Sequence, residues 1–486
     1  MKKKNPFLRR SLCPLLIGLL IVTAAGCSSK PVDVSEKTAK VSETSVVVQS
    51  DAEPSVSESS VWKPGKANDQ SSNTTEPSSS KAEETSQAEE SSQTADPSSD
   101  APSDPSQSSD DADSSADSVS SEITQSSAET SKGSVFDLPE EYQDNGIFSA
   151  YYDDAYRYLS KMTLEEKIGQ MIIAAKPTYE ASELATEYHL GGYIIMGPDF
   201  ADKSKEEVQS MLSTLTNSQK VPLIYAVDEE GGTVTRISAK PQLSPHEFQS
   251  PRVLYKNGGM AYIQSDADEK ASLLKELGLN INFAPVCDMS DNKKDFIYDR
   301  SLGQDAKTTA DFIRIVTEIS QSKGVSVTLK HFPGYGGNAD THIGVSVDDR
   351  SLDEFRKKDF IPFQSGIQAG AHLVMMSHNI VKAIEEDIPC SLSPNSHQLL
   401  RDELGFTGLI VTDDLGMDAI SKYSGDHTAA VAAVLAGNDL LLMNNSMVEE
   451  SFDSIKAAVE SSVIDEKLID RAVLRILSYK YMTSVM

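Results

Sequence analysis

Short apolar runs recur between residues 171 and 443 and are separated by longer amphipathic stretches. Each run has four or five residues rich in Ile, Leu, Val and Met, which is typical of strands buried on both faces of a parallel sheet. The eight runs are 171–174, 193–196, 223–227, 281–284, 325–329, 372–376, 408–411 and 440–443. Most intervals are long enough for a crossover helix, so the pattern predicts an α/β fold, a single TIM-type (β/α)8 barrel.

Helix signals fall between and around these runs. The sequence Thr-Leu-Glu-Glu at 163–166 is a capping box, in which two side chains satisfy backbone N–H groups at a helix start. Residues 204–220 supply enough chain for a crossover helix before the third run, and residues 466–481 predict a helix after the eighth. These segments provide helices of the kind that a (β/α)8 barrel needs.

Polar residues follow six of the eight runs, at the point where each strand is expected to end. They are Asp228, Asp288, Lys330-His331, His378, Asp413-Asp414 and Asn444-Asn445. A single aspartate after a strand could simply cap the next helix, but capping alone explains six such positions poorly. Because the carboxyl ends of parallel strands meet at one rim of a barrel, where barrel enzymes carry their sites, the pattern predicts a catalytic rim.

The first 26 residues have the pattern of a secretory signal. Five basic residues precede an apolar run at 13–25, which is shorter than the roughly 20 residues of a comfortable membrane span. The run ends in Ala-Ala-Gly before Cys27 and resembles a bacterial lipobox, although position 24 is Ala where Leu is commonest. The resemblance implies lipidation of Cys27 and an extracytoplasmic protein anchored to the cell membrane by lipid. The alternative is an ordinary cleaved signal with an incidental cysteine.

Residues 27–135 are rich in Ser, Thr, Asp, Glu, Ala and Pro and contain one Trp, at position 62. Such a segment cannot bury enough apolar surface to offset the entropy of ordering, so we expect a disordered linker. It would act as a tether between the membrane and a catalytic barrel at 136–486.

Composition argues against several classes of partner and cofactor. The formal net charge is −30, and residues 28–133, with 21 acidic and 7 basic side chains, carry 14 of these charges. An acidic protein repels phosphate backbones, so nucleic acid is not an expected partner. Cys287 and Cys390 are expected to be buried free thiols. No Cys-x-x-Cys pair or His-rich cluster indicates a metal, and no cofactor is expected.

The segment 330–342, Lys-His-Phe-Pro-Gly-Tyr-Gly-Gly-Asn-Ala-Asp-Thr-His, carries the clearest catalytic pattern. A strand ends in Lys330-His331, and a glycine-rich loop then presents Asp340 and His342. The glycines permit positive φ and movement, so the loop could carry a catalytic group over a bound substrate. Histidine is the side chain whose ordinary pKa lies closest to neutrality, and Asp340 could orient the His342 ring and stabilise the imidazolium. The alternative is a mobile surface histidine.

Five ordered motifs resemble those of glycoside hydrolase family 3 β-N-acetylglucosaminidases. The loop is similar to the family's approximate K-H-F-P-G-[HY]-G-x-x-x-x-D-[ST]-H. Residues 226–236 resemble A-V-D-x-E-G-G-x-V-x-R, 282–288 resemble N-F-A-P-V-x-D, 299–303 resemble D-R-S-F-G, and 405–417 resemble G-F-x-G-V-I-x-[ST]-D-D-L-x-M. Together these motifs cover most of the chain beyond the linker.

The resemblance implies a retaining mechanism and a role for each matching residue. Asp413 would be the nucleophile that forms a glycosyl-enzyme, and His342, paired with Asp340, would be the general acid/base. The positions that match sugar-binding residues of the family are Asp228, Arg236, Arg300, Lys330 and His331. Asp414 is expected to have a structural or hydrogen-bonding role.

Three positions depart from the family pattern. The family often has His where this chain has Tyr335, Asp where it has Gly337, and Phe where it has Leu302. Each departure could alter the mobility of the loop or the subsite for the leaving group. His378 could line the pocket or be a core or loop histidine.

The implied function is hydrolysis of terminal β-linked N-acetylglucosamine from peptidoglycan fragments or chitooligosaccharides, by a monomer. One alternative is a β-glucosidase or xylosidase of the same family, whose branches generally lack the Asp-x-His pair. A second is a phosphorylase, because a histidine tolerates an incoming phosphate better than a carboxylate does. A non-catalytic cell-wall-binding lipoprotein with a degenerate barrel is the alternative from another class.

Overall fold

The computed structural model describes residues 138–342, 344–420, 423 and 427–486. The predicted signal peptide at 1–26, the lipidation site Cys27 and the linker at 27–135 lie outside the described residues. The predicted catalytic domain at 136–486 is described from residue 138 onward.

A parallel sheet of eight strands forms the centre of the domain. The ten described strands are β1 (Ile172–Ala175), β2 (Gly192–Ile194), β3 (Ile224–Val227), β4 (Ile281–Asn282), β5 (Ser326–Phe332), β6 (Val347–Asp348), β7 (Leu373–Met376), β8 (Ile380–Val381), β9 (Leu409–Thr412) and β10 (Leu441–Met443). Neighbours in the large sheet follow the order β10-β1-β2-β3-β4-β5-β7-β9, and a parallel bridge from Val411 to Leu440 brings β9 back to β10. Each predicted run overlaps one of these eight strands, so the predicted barrel is confirmed.

Helices connect the strands in the expected alternation. They are α1 (Tyr152–Leu159), α2 (Leu164–Gln170), α3 (Ala181–Glu187), α4 (Lys205–Asn217), α5 (Pro251–Leu277), α6 (Ala306–Ser322), α7 (Leu352–Lys357), α8 (Phe360–Gln368), α9 (Pro394–Gln398), α10 (Ala429–Ala436), α11 (Val448–Glu460) and α12 (Glu466–Met482). Helix α5 is kinked at Gly259, whose φ of 59° lies outside the helical range. Helix α4 and helix α12 occupy the two segments in which the sequence predicts helices.

Side-chain caps explain where several helices begin. Thr163 Oγ1 accepts the N–H of Glu166 at 3.2 Å, and Glu166 Oε2 accepts the N–H of Thr163 at 3.0 Å. This reciprocal pair is the predicted capping box, and Ser204 with Glu207 forms a second one at the start of α4. The caps therefore set the register in which each helix presents its apolar face to the barrel.

A buried lysine fills the end of the barrel opposite the predicted rim. Lys480 of α12 is fully buried, and its Nζ donates to Gln170 Oε1 at 2.7 Å, to the Gly191 carbonyl at 3.1 Å and to the Pro222 carbonyl at 2.8 Å. Gly191 immediately precedes β2, and Pro222 lies two residues before β3. When Lys480 is protonated the three acceptors match its three N–H donors, and they join the last helix to the amino-terminal end of the sheet.

A small second sheet follows the glycine-rich loop and was not predicted from the sequence. Strands β6 and β8 pair in parallel, with Val347 opposite Ile380 and Asp348 opposite Val381. The N–H of Ile380 also donates to the carbonyl of Ser346 at 2.9 Å. The chain that leaves the loop is therefore tied to the segment that follows β7.

Strands β9 and β10 meet along a seam in which side chains replace part of the backbone ladder. The Oγ1 of Thr412 accepts the N–H of Leu442 at 3.0 Å, and Asp439 Oδ2 accepts the N–H of Ile410 at 2.8 Å. Backbone bonds complete the seam, among them the one from the N–H of Thr412 to the carbonyl of Leu440 at 3.1 Å. These contacts close the barrel beside the strand that leads to Asp413.

Three properties of the described part of the chain concern membranes, metals and cysteines. Within that part, no helix combines the length and apolar character needed to cross a membrane, and no group of three or more His, Cys, Asp or Glu side chains is arranged to hold a metal ion. Cys287 and Cys390 are both buried free thiols, as expected.

Candidate active site

A buried charge network forms the floor of the site at the carboxyl ends of β3 and β5. Lys330 Nζ donates to Asp228 Oδ1 at 2.9 Å and to Glu230 Oε1 at 2.6 Å. Arg300 binds the same Glu230 carboxylate in a bidentate manner, from Nε at 2.9 Å and Nη2 at 2.7 Å. Two cations and two carboxylates are thus paired in one cluster, so the floor carries little net charge.

Electrostatics keep this cluster ionised despite its burial. Burial raises the pKa of Glu230, but Arg300 and Lys330 outweigh it and hold the pKa well below its ordinary value. Burial lowers the pKa of Lys330, but Asp228 and Glu230 raise it above its ordinary value. The donors of Lys330 and Arg300 are therefore permanently charged and fixed in direction.

His331 is held in one tautomer by its two neighbours. Its Nδ1 lies 2.7 Å from Asp288 Oδ2, and the same oxygen accepts the backbone N–H of His331 at 3.0 Å. Its Nε2 lies 3.3 Å from Arg300 Nη2. Because a carboxylate only accepts and a guanidinium only donates, Nδ1 carries the proton and Nε2 is an acceptor.

An irregularity in β5 brings two consecutive side chains to the same network. The pairing of β5 with β7 shifts register between Leu329 and Phe332. Both Lys330 and His331 are buried, and both contact the charge network rather than opposite faces of the sheet. Register shifts of this kind re-aim side chains next to active sites.

Asp413 follows β9 directly and is partly exposed at the rim. Its backbone N–H donates to the carbonyl of Met376 at 3.1 Å, and its Oδ1 accepts the N–H of Asp414 at 2.9 Å. The pKa of Asp413 lies below its ordinary value although burial raises it, and the N–H of Asp414 and the charge of Lys330 are among the contacts that lower it. The carboxylate is therefore ionised at neutral pH, as a nucleophile must be.

His378 and Asp414 support the turn that carries Asp413. His378 is fully buried, with Nδ1 2.7 Å from Ser391 Oγ and Nε2 2.9 Å from the carbonyl of Asp414. Burial lowers the pKa of His378, so it is neutral and donates from Nε2 to that carbonyl. Asp414 Oδ1 accepts the N–H of Gly416 at 2.8 Å. The expected hydrogen-bonding role of Asp414 agrees with this geometry, and His378 contacts the same turn through the Asp414 carbonyl.

The glycine-rich loop presents Asp340 and His342 as a hydrogen-bonded pair. His342 Nδ1 lies 2.7 Å from Asp340 Oδ1, which also accepts the backbone N–H of His342 at 2.9 Å. The His342 side chain is 58% exposed and that of Asp340 is 25% exposed. The ring of Phe296 lies 6.0 Å from the His342 ring and packs against it. The loop therefore offers an exposed Nε2 atom whose opposite nitrogen is fixed by a carboxylate.

Arg236 lies at the edge of the same network. Its Nη2 is 3.9 Å from Asp228 Oδ2, and its Nε is buried without a hydrogen-bond partner among the described residues. A buried N–H donor without a partner is costly, so this atom is available to a ligand oxygen. Asn444 differs, because its side chain accepts the N–H of Ser446 and is used by its own turn.

Comparison with known proteins identifies the family. The profile described as "Glycosyl hydrolase family 3 N terminal domain" matches residues 163–479, which is most of the described chain. This chain belongs to glycosyl hydrolase family 3. Membership makes it a glycoside hydrolase with a carbohydrate substrate.

Named relatives of this family 3 chain are β-hexosaminidases. The chain is 33% identical over 292 residues to "Beta-hexosaminidase" of Stenotrophomonas maltophilia (strain K279a), covering 59% of this chain and 85% of that protein. It is 30% identical over 329 residues to "Beta-hexosaminidase LpqI" of Mycobacterium tuberculosis, covering 65% of this chain and 82% of that protein.

A solved family 3 structure shares the fold. The β-N-acetylglucosaminidase of Paenibacillus sp. str. FPU-7 superposes with a TM-score of 0.62 at 34% sequence identity. The match covers 67% of this chain and 63% of that chain, so this chain spans less than two thirds of the Paenibacillus protein.

The family 3 barrel brings together most of the residues predicted from the sequence. Asp228, Arg236, Arg300, Lys330 and His331 form one connected cluster, and the charge of Lys330 lowers the pKa of Asp413. The sequence prediction omitted Glu230, which binds both Lys330 and Arg300, and Phe296, which contacts His342. Glu230 stands in the D-x-E-G-G motif, so the motif was the signal that could have found it. Phe296 had no such signal.

Proposed function

We propose that this family 3 enzyme is a retaining exo-β-N-acetylglucosaminidase in which Asp413 is the nucleophile and His342 the general acid/base. The observation that carries the proposal is the pair formed by Asp340 and His342 on the glycine-rich loop. The names of the β-hexosaminidase relatives and of the Paenibacillus β-N-acetylglucosaminidase support the same substrate.

The proposed reaction has two displacements. In the first, the Asp413 carboxylate attacks the anomeric carbon while the His342 imidazolium gives its Nε2 proton to the departing glycosidic oxygen. In the second, neutral His342 takes a proton from water, and the resulting hydroxide displaces Asp413 from the anomeric carbon. Two inversions give net retention. Asp340 accepts the Nδ1–H throughout, which orients the ring and stabilises the cationic form.

The floor of the site is proposed to bind the hydroxyls and N-acetyl group of a neutral sugar. The Asp228 carboxylate offers acceptors, whereas Lys330, Arg300 and the unpartnered Nε of Arg236 offer donors; His331 lines the same floor and holds Arg300 through Nε2. Because the charges of Lys330 and Arg300 are already paired, the floor presents directed hydrogen bonds rather than a free charge. Such a surface suits an uncharged ring with several hydroxyls.

Hydrolysis is proposed in preference to phosphorolysis. The acidic groups whose charge acts on His342 or on the nucleophile turn are Asp340, Asp413 and Asp414. The cations Lys330 and Arg300 are neutralised by carboxylates of the floor. A phosphate dianion approaching the glycosyl-enzyme, in which Asp413 is an uncharged ester, would still be repelled by Asp340 and Asp414, whereas neutral water would not be repelled. Turnover of aryl β-N-acetylglucosaminide should therefore be unaffected by added phosphate, and acceleration by phosphate would favour a phosphorylase.

The central experiment compares leaving groups in two variants. Asp413→Ala should abolish turnover without changing the circular dichroism spectrum; unchanged turnover would overturn the nucleophile assignment. His342→Ala should lose about 10²–10⁴-fold on leaving groups that need protonation and far less on activated aryl leaving groups. His246→Ala is the matched control, because His246 is a similarly exposed histidine, 53% exposed, outside the charge network. An equal loss on both kinds of leaving group would exclude His342 as the proton donor.

The same substrate series separates the family alternatives. Aryl β-N-acetylglucosaminide should be turned over far faster than aryl β-glucoside; the reverse would indicate a β-glucosidase. Peptidoglycan fragments and chitooligosaccharides are the proposed natural substrates. Product analysis on each would identify the preferred leaving group.

We also propose that the protein is lipid-anchored at Cys27 on the outside of the cell membrane and that residues 27–135 act as a tether. The support is the signal and lipobox pattern of the sequence. Incorporation of labelled fatty acid should be lost in Cys27→Ala, with release of the protein from the membrane fraction. Labelling that persists in this variant would contradict the anchor.

A further inference from the structure

Tyr335 stands at the base of the glycine-rich loop and bonds across it to Thr341. Its phenolic oxygen accepts the backbone N–H of Thr341 at 2.9 Å and lies 2.5 Å from Thr341 Oγ1. Both residues are buried, with Tyr335 1% exposed. The phenol therefore satisfies two polar atoms of the same residue and closes the loop on itself.

Thr341 is the residue between the two members of the proposed acid/base pair. It is fully buried, whereas the side chain of His342 is 58% exposed and that of Asp340 is 25% exposed. Asp340 and His342 therefore project from a residue whose backbone and side chain are both fixed by one phenol. A displacement of Thr341 would move the Nε2 atom of His342 directly.

Tyr335 is itself rigidly mounted on the sugar-binding floor. Its backbone N–H donates to Asp288 Oδ1 at 2.6 Å, and Asp288 also holds His331. Its ring packs edge-on against His331, with ring centroids 5.5 Å apart, and at a tilt against Phe296, with centroids 5.6 Å apart. Through these contacts the Tyr335 phenol fixes the position of the loop relative to the floor.

The glycines on either side of Tyr335 make such a constraint necessary. Gly334 has φ of 133° and Gly336 has φ of 57°, conformations open to glycine and strained for other residues. A loop with two such hinges has many accessible conformations unless a contact selects one. A second contact, from Asn338 Nδ2 to Asp348 Oδ2 at 2.9 Å, fixes the middle of the loop but not its acid/base end.

We propose that Tyr335 is the positioning residue of the acid/base loop, whose phenol fixes Thr341 so that His342 faces the glycosidic oxygen. This inference rests on the proposed role of His342. Tyr335 does not transfer a proton itself, because its hydroxyl is used by Thr341 and burial raises its pKa to about 12.

The test removes only the phenolic oxygen. Tyr335→Phe retains the ring that packs against Phe296 and His331. On a β-N-acetylglucosaminide with a poor leaving group, kcat should fall roughly tenfold, the equivalent of one lost hydrogen bond in the transition state, with KM nearly unchanged. On an activated aryl leaving group, which needs little protonation, the loss should be less than about twofold.

Tyr225→Phe is the matched control. The Tyr225 hydroxyl is also buried, lies 2.9 Å from Thr216 Oγ1 and donates to the Leu212 carbonyl at 2.7 Å, but it lies on the outside of the barrel away from the loop. Tyr225→Phe should lower the melting temperature by about as much as Tyr335→Phe does. Its effect on kcat should be the same for poor and for activated leaving groups. If Tyr335→Phe behaves like Tyr225→Phe, losing stability alone, the positioning role is wrong.

His342→Ala in the same series separates the two possible failures. If His342→Ala shows the leaving-group dependence and Tyr335→Phe does not, the inference on Tyr335 fails and the proposed function stands. If His342→Ala shows no such dependence, the acid/base assignment fails and the role of Tyr335 fails with it. A leaving-group dependence in both variants, absent from Tyr225→Phe, supports the inference.

Discussion

Substituting Glu230 by Gln tests how strongly the charge network supports the fold. The Glu230 side chain is 1% exposed, accepts two hydrogen bonds from Arg300 and lies 2.6 Å from Lys330 Nζ. Glutamine has nearly the same shape but no charge, and its amide must place an NH₂ group against one of the two cations. The substitution therefore leaves buried positive charge uncompensated.

The size of the expected loss of unfolding free energy depends on the contacts that Lys330 and Arg300 keep in Glu230→Gln. Breaking a buried ion pair by removing one partner costs about 3–5 kcal/mol of unfolding free energy. Lys330 keeps Asp228 at 2.9 Å, and Arg300 is 12% exposed to water. The charge of each cation is thus still partly compensated, and we expect a loss of unfolding free energy at the lower end of this range, about 3 kcal/mol.

Urea-induced equilibrium unfolding of the full chain, followed by far-ultraviolet circular dichroism, measures this loss. Glu318→Gln is the matched control, because Glu318 pairs with Arg314 at 2.8 Å on the exposed surface of α6. A surface pair of this kind should contribute about 0.3–0.5 kcal/mol. If Glu230→Gln costs no more than Glu318→Gln, the buried network does not depend on the Glu230 charge and the reasoning fails.

The pH dependence of the unfolding free energy gives an independent check that the ionised Glu230 side chain stabilises the fold. The pKa of Glu230 in the folded protein is held below its ordinary value of 4.5. Its contribution to stability is therefore fully present above pH 4.5 and is lost as the pH falls through the folded pKa. The stability difference between the natural protein and Glu230→Gln should shrink as the pH is lowered below 4.5.

Two further substitutions probe the opposite end of the barrel. Burial lowers the pKa of Lys480 from 10.5 to about 7, so at this side chain the unfolded chain binds more protons between these values; the unfolding free energy of the natural protein relative to that of Lys480→Met, measured in urea at several pH values, should therefore rise with pH across that window. Gly192→Ala would place a Cβ 2.2 Å from a backbone carbonyl oxygen of β3 and should cost about 1–3 kcal/mol in the same assay. Gly197→Ala, where the nearest atom is 3.8 Å away, should be nearly neutral, and equal losses at the two glycines would contradict the argument.

The barrel could be predicted because its strands are short and largely apolar and are separated by stretches long enough for crossover helices. Burial on both faces favours apolar side chains at most strand positions, and this preference is visible in one sequence. The polar residues after the strands could be predicted for the same reason, since each marks where the apolar preference ends. The two-residue strands β6 and β8 could not, because two residues carry no periodic signal.

The contacts within the site were less accessible to sequence reasoning. Glu230 follows β3 by three positions, and whether it turns inward depends on the loop beyond it, where Gly231 has φ of 101°. His378 could be core or pocket from its sequence position, and only the bonds to Ser391 and to the Asp414 carbonyl resolve the choice. Such contacts join residues that are distant in the chain, and a pattern of neighbouring residues does not encode them.

The seam between β9 and β10 determines how firmly the barrel wall holds Asp413. A ladder of carbonyls and N–H groups resists sliding, because every bond lengthens together when one strand moves. The seam includes the Thr412 hydroxyl and the Asp439 carboxylate, both buried, and that carboxylate is also held by Arg401 at 2.7 Å and by Arg475 at 3.0 Å. Side-chain bonds that are anchored in this way resist sliding of β9 against β10 as backbone bonds do. The strand that ends in Asp413 is therefore held on both sides, by β7 and by this seam, and the carboxylate proposed to attack the anomeric carbon projects from a fixed support.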